Sequence, residues 1–183
     1  MSQIQIAIIV GSLRKESINR QLAQAITKMS PQGVEFKTVG IGDLPLYNQD
    51  ADGNEVEAVQ QFRAAVRGVD GVLFITPEYN RSISGVLKNA LDQGSRPYGQ
   101  SVWDGKPAAV MGMSVGAIGT SLAQQHLRNV LAYLNMPTLA QPEMFLHFKE
   151  GFFNADGSIG ENSRAFVQKF VDQLVSWIQQ HKA

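Results

Sequence analysis

The chain has 183 residues, enough for one domain with a full hydrophobic core. Sixteen Lys and Arg balance 16 Asp and Glu, so the basic excess of a nucleic-acid binder is missing. The lack of cysteine excludes disulfides, thiolate metal sites, iron–sulfur clusters and cysteine nucleophiles together.

The N-terminus has no basic start and runs straight into Ile4–Val10, a short β-branched stretch that reads as a core strand rather than a signal peptide. Gly11 to Ser17 is a polar loop. Ile18 to Met29 has helical spacing, with Ile18, Leu22, Ala25, Ile26 and Met29 on one face. Val34 to Val39 alternates like a half-buried strand, and Gly40 to Asn54 is a long loop. Glu55 to Arg67 is helical, with Val56, Val59, Phe62 and Val66 inward. Val69 to Thr76 is a buried strand stopped by Pro77. Ser84 to Gln93 is a helix ended by Gly94.

Tyr98 and Trp103 sit in the irregular stretch 95–106, where they either flank a ligand mouth or pack at a subunit contact. Ala108 to Met113 is a buried strand, Thr120 to Leu134 a long helix, and Met136 to Ala140 a short final strand. Residues 141–160 are aromatic-rich and irregular. The last helix, from about Glu161 to His181, presents Phe166, Phe170, Leu174, Trp177 and Ile178 to a core, with His181 expected to fray. No apolar run approaches the ~20 residues that span a bilayer. The expectation is a cytoplasmic single domain covering 1–183.

Strands and helices alternate throughout, which implies an α/β fold with a parallel sheet covered by helices on both faces. Five strands suit the flavodoxin-like order 2-1-3-4-5, whose ligands bind at the carboxyl ends of the strands. The chemistry should therefore sit in the loops after strands 1, 3 and 4.

The first of these reads G-S-L-R-K-E-S-I-N-R from Gly11. Ser12, Ser17 and Asn19 are short and polar, Arg14 and Lys15 are cationic, and the loop opens a helix whose free N–H groups favour an anion. Position 16 is Glu, so the P-loop pattern is absent, and position 13 is Leu, so G-x-G-x-x-G is absent. A single terminal phosphate remains. The same residues also describe a helix capped by Ser17 with solvated charges beside it.

The second loop reads T-P-E-Y-N-R-S from Thr76. Pro77 stiffens it, Tyr79 offers an aromatic surface, and Asn80 with the backbone at Glu78 can meet the edge of a heterocycle. Ser82 and Ser84 can cap the next helix, where Lys88 and Asp92 form an i,i+4 pair.

These two motifs, extended through Leu87-Lys88-Asn89-Ala90, resemble the NADPH-dependent FMN reductase family, and within it the bacterial quinone and chromate reductases. The resemblance runs through Gln141-Pro142-Glu143. It implies FMN as cofactor, with Ser12, Arg14, Ser17 and Asn19 at the phosphate. Pro77, Glu78, Tyr79 and Asn80 would line the ring and ribityl chain, with Ser114 also at the flavin. It implies NADPH or NADH as donor and quinones, chromate, azo and nitro compounds or free flavin as acceptors, by ping-pong transfer. It also implies a homodimer or homotetramer, with His126, Arg128 and Glu143 near subunit contacts.

Gly112-Met113-Ser114-Val115-Gly116 fits the G-x-S-x-G elbow of a serine esterase, with Glu143 or Asp156 as acid and His147 or His181 as base. The wide loop Gly116-Ala117-Ile118-Gly119 instead suits backbone approach to a ring. Its N–H groups, Gly116 among them, lie near a helix start and would stabilise charge on a reduced flavin edge. An electron-carrying flavodoxin is a further alternative, although this chain lacks the strong acidity of such carriers. His126, His147 and His181 have no metal-ligand spacing, so no metal is expected. No side chain is assigned an acid or base role.

Overall fold

The computed structural model describes residues 3–182. Five parallel strands lie in the order β2-β1-β3-β4-β5. They are β1 (Ile4–Val10), β2 (Val34–Thr38), β3 (Gly71–Ile75), β4 (Ala108–Ser114) and β5 (Phe145–His147). The helices between and after them are α1 (Ile18–Thr27), α2 (Glu57–Arg67), α3 (Gly85–Ser95), α4 (Ser121–Tyr133) and α5 (Glu161–His181). This is the flavodoxin-like architecture expected from the alternation of elements.

Strand geometry sends successive side chains to opposite faces. Ile6, Ile8, Leu73, Ile75, Met111 and Met113 therefore pack on one side with α1 and α5. Ala7, Ile9, Val72, Phe74 and Val110 pack on the other with α2, α3 and α4. Both faces are covered, which is why the central strands read as unbroken apolar runs.

Several expectations need correction. The final strand is not Met136–Ala140 but Phe145–His147. The earlier stretch touches β4 only through the bridge between Thr138 and Ala108. Pro137 lies within that stretch and Pro142 just after it, and both lack the N–H a ladder needs, so the ladder with β4 forms only beyond them. On α5 the buried stripe includes Val167, Phe170, Val171, Leu174 and Ile178, whereas Phe166 is exposed and Trp177 is only partly buried. His181 is the last residue of α5, with its ring stacked on Trp177. Val56 is exposed at the N-cap of α2.

Trp103 flanks no mouth. It is fully buried, its ring centroid 6.0 Å from that of Phe62 and 5.8 Å from that of Phe74, and its Nε1 donates to the Leu91 carbonyl at 2.9 Å. A Cβ at residue 94 would stand 2.5 Å from the indole, so Gly94 serves to admit Trp103, and α3 continues past it to Ser95. Tyr98 is exposed.

The carboxyl edge is held by a side chain. β3 pairs with β4 only as far as Ile75 and Met111, and the chain then turns away at Pro77. Asn19, buried at the start of α1, reaches across: its Nδ2 donates to the Met113 carbonyl and its Oδ1 accepts from the Met113 N–H, each at 2.9 Å. The amide thus imitates the peptide unit that β3 no longer supplies. Asn19→Ala would leave two buried backbone groups unpaired and should cost about 2–4 kcal/mol in a urea denaturation experiment. A loss below about 0.5 kcal/mol would remove this role from Asn19.

Candidate active site

The loops after β1, β3 and β4 meet at the carboxyl edge because short bonds tie them together. The Gly11 N–H donates to the Ile75 carbonyl at 2.9 Å, and the Ser84 hydroxyl donates to the Gly11 carbonyl at 2.6 Å. A Cβ on Gly11 would lie 3.1 Å from the Pro77 ring, so glycine permits this approach. Ser84 also caps α3 through the Leu87 N–H.

In the first loop, Ser12 and Ser17 are buried, and Arg14 and Lys15 are exposed. Ser17 caps α1 by accepting from the Arg20 N–H. The first turn of α1 holds no acidic residue, so its positive end is not neutralised from within. Asn19 stands in the same turn, with its side chain engaged by Met113.

In the second loop, Tyr79 and Ser82 exchange two backbone hydrogen bonds of 2.9 Å around a two-residue turn, Asn80-Arg81, with φ of 50° and 65°. Tyr79 is half-exposed. The Glu78 carboxylate turns inward to α4. Its Oε2 accepts from the N–H groups of Leu122 and Ala123 at 3.1 and 3.2 Å, and its Oε1 pairs with Arg81 at 3.0 Å. Thr120, at the N-cap of α4, makes no side-chain capping bond, and the first turn has no acid of its own. Glu78 is therefore a cap supplied from 44 residues away in sequence. Nothing local to either segment marks it, which is why sequence reasoning missed it. Ser82 does not cap α3. Its hydroxyl meets His126 Nδ1 on α4 at 3.0 Å, a second tie between this loop and α4.

In the third loop, the Ser114 hydroxyl accepts from the Gly116 N–H at 3.0 Å, and Gly119 N–H donates to the Gly116 carbonyl. The N–H groups of Val115, Ala117 and Ile118 have no protein acceptor among the described residues. Between the second and third loops lies a cleft of about 260 Å³, with Glu78, Asn80 and Arg81 on one wall and Ser114, Gly116 and Gly119 on the other.

The esterase arrangement does not assemble. Ser114 and His147 are register partners on β4 and β5, yet no hydrogen bond joins their side chains among the described residues. Glu143 is bonded to Gln125, Asp156 to Ser158, and His181 to the Trp177 carbonyl. No acid–base–nucleophile relay links them.

His126 and Arg128 lie on α4, and Glu143 lies in the irregular segment just before β5. Arg128 donates to the Leu139 carbonyl at 2.8 Å while its buried Nε has no partner. Burial pushes this guanidinium below its ordinary pKa, and Glu143 opposes the shift.

The model of the NADPH-dependent FMN reductase family matches residues 4–151. A 2-hydroxy-1,4-benzoquinone reductase from a Burkholderia species is 49% identical over 180 residues, covering 98% of each chain. A quinone reductase from Pseudomonas putida is 48% identical over 185 aligned positions, covering all of both chains. Among solved structures, the flavoenzyme NAD(P)H:acceptor oxidoreductase FerB from Paracoccus denitrificans superposes with a TM-score of 0.94 at 43% identity, covering 98% of this chain and 100% of that one.

The capping role of Glu78 has a direct test. Glu78→Ala should lower stability by about 1–2 kcal/mol, and Glu78→Gln by less, because an amide oxygen still accepts both N–H groups. Thermal denaturation should rank wild type above Gln and Gln above Ala; equal losses would show that charge alone matters.

Proposed function

The chain belongs to the NADPH-dependent FMN reductase family, and from that premise we propose that its carboxyl edge carries FMN for the reduction of quinones. The enzyme class is an NAD(P)H-dependent FMN-containing quinone reductase. The observation that carries the site is the cleft between the loops after β3 and β4, with the loop after β1 tied to the same edge and opening a helix whose first turn holds no acid.

The residues present fit the cofactor. Ser12 and Ser17 offer hydroxyls, Arg14 offers charge, and the first turn of α1 offers N–H groups, a donor set suited to a terminal phosphate. Asn19 contributes from the same turn, chiefly by fixing α1 against Met113. Glu78 and Asn80 on one wall of the cleft and Ser114 and Gly116 on the other would take the ring, with Pro77 and Tyr79 beside them in the second loop. When bound, FMN supplies a centre that takes a hydride from a nicotinamide and passes two electrons to a quinone.

The protein's part is orientation and electrostatics. Glu78 occupies the first N–H groups of α4, so that helix end is already spent within the protein. Stabilisation of negative charge on the ring edge then falls to the free N–H groups of Val115, Ala117 and Ile118. No side chain need act as acid or base. An open cleft lets nicotinamide and acceptor use the same face in turn, which is ping-pong transfer. Chromate, azo and nitro compounds and free flavin fit the same reading as acceptors.

Tyr79, Val115, Ile118 and Leu122 are exposed apolar side chains around the cleft, with exposures of 51, 74, 47 and 40%. They support a homodimer or homotetramer in which a second copy covers the site, with His126, Arg128 and Glu143 near the contact. No helix among the described residues is long and apolar enough to cross a membrane. A cytoplasmic location is the reading that accompanies a reductase fed by NAD(P)H. Sedimentation analysis should give a mass at least twice that of the chain; a monomer would remove the covering copy.

The deciding experiment incubates the protein with FMN, desalts it, records its absorption spectrum and adds NADPH without oxygen. Retained flavin bands that bleach, and recover on adding a quinone, are expected. No retained flavin would overturn the reading, and flavin that NADPH leaves oxidised would favour an electron carrier. In the same titration Arg14→Ala should weaken FMN binding by about 1.5–3 kcal/mol, roughly tenfold to a hundredfold.

A further inference from the structure

Arg81 occupies an unusual place. The turn it shares with Asn80 has both central residues at positive φ, 50° for Asn80 and 65° for Arg81. Such two-residue hairpin turns favour Asn at the first position and Gly at the second. Asn80 obeys the preference. Arg81 stands where glycine would sit without strain.

Its local bonds give little structural reason for an arginine. The pair with Glu78 spans 3.0 Å, but the Arg81 side chain is 68% exposed, and exposed pairs contribute little. Glu78 does not depend on it, since Oε2 already accepts two backbone N–H groups from α4.

Position does give a reason. Arg81 lines the cleft opposite Ser114 and Gly116, and the only other charged side chain in that lining is Glu78. The Glu78 charge is divided between the α4 N-terminus and one Arg81 nitrogen. A guanidinium carries five N–H donors, and among the described residues Glu78 is the only protein acceptor of Arg81. The remaining donors have no protein acceptor among the described residues, on an exposed side chain that lines the cleft.

We propose that Arg81 is the specificity-determining residue of the acceptor site and selects quinones that carry a negative charge, above all ring-ionised 2-hydroxyquinones, over neutral quinones. This rests on the quinone-reductase reading. A 2-hydroxyquinone is a vinylogous acid and is ionised at neutral pH. Its deprotonated oxygen and the adjacent carbonyl oxygen form a planar pair that a guanidinium meets with two parallel N–H groups, as it meets a carboxylate. Reduction consumes one hydride, which comes from NAD(P)H, and two protons from solvent. It converts both ring carbonyls to hydroxyls, restores the ionised hydroxyl, and leaves NAD(P)⁺. The anion is intrinsically harder to reduce than a neutral quinone, and a cation beside it offsets that penalty.

The test compares the FMN-loaded wild type with Arg81→Gly and Arg81→Lys on two acceptors, neutral 1,4-benzoquinone and ionised 2-hydroxy-1,4-benzoquinone. Glycine suits the turn, so Arg81→Gly should fold at least as stably and retain its flavin. Its ratio of kcat/KM for the hydroxyquinone to that for benzoquinone should fall by about tenfold or more. Arg81→Lys should restore part of the ratio, and in the wild type rising salt should lower it. A ratio within about twofold of wild type in Arg81→Gly would overturn the role of Arg81 and leave the reductase reading intact. A wild type that reduces neither quinone would overturn both.

Discussion

Where β3 leaves the sheet at Pro77, its neighbours lose the backbone partners that a longer strand would supply. An unmet N–H or C=O in a dry interior costs as much as a lost hydrogen bond. The protein meets this with side chains brought from other elements. Asn19 replaces the missing peptide unit beside Met113, and Glu78 supplies the missing cap to α4. Glu78 lines the cleft and Asn19 stands in the first turn of α1, directly after the first loop, so the bonds that close the edge of the sheet also hold the loops around it.

The two helix ends at this edge are used in opposite ways. The N-terminus of α1 has a serine cap but no acid in its first turn, and stays open to an anion from solution. The N-terminus of α4 is closed by Glu78, so its field is consumed within the protein. The α1 terminus thereby keeps its positive field at this edge, and the α4 terminus does not. The tie between Ser82 and His126 holds the second loop to α4 at another point, so the two walls of the cleft share one support.

The parts that sequence made legible are those with local causes. Buried parallel strands announce themselves as apolar runs, and Ser17 and Ser84 announce helix starts by capping chemistry. The pair of Lys88 and Asp92, at 2.8 Å, follows from i,i+4 spacing alone. The errors have local causes too. Met136–Ala140 has strand composition, but Pro137 within it and Pro142 after it deny it a ladder. Phe166 falls on the helical period, yet packing rotates the buried stripe of α5 towards Val167 and Val171. Trp103 sits in a polar, irregular stretch, and only the small Gly94 opposite it betrays that the ring turns inward.

The sequence by itself determined the alternation of strands and helices, three loops of unusual composition and the likeness to a reductase family, because each depends on a short run of residues and its period. Tertiary structure alone decided which partners those loops would find. That Glu78 caps α4, that Asn19 mends β4, that Ser82 meets His126 and that Arg81 is left facing a cleft are contacts between segments tens of residues apart. Hydrogen bonding of this kind is set by where the fold brings two segments together, and no local pattern in either segment encodes the other.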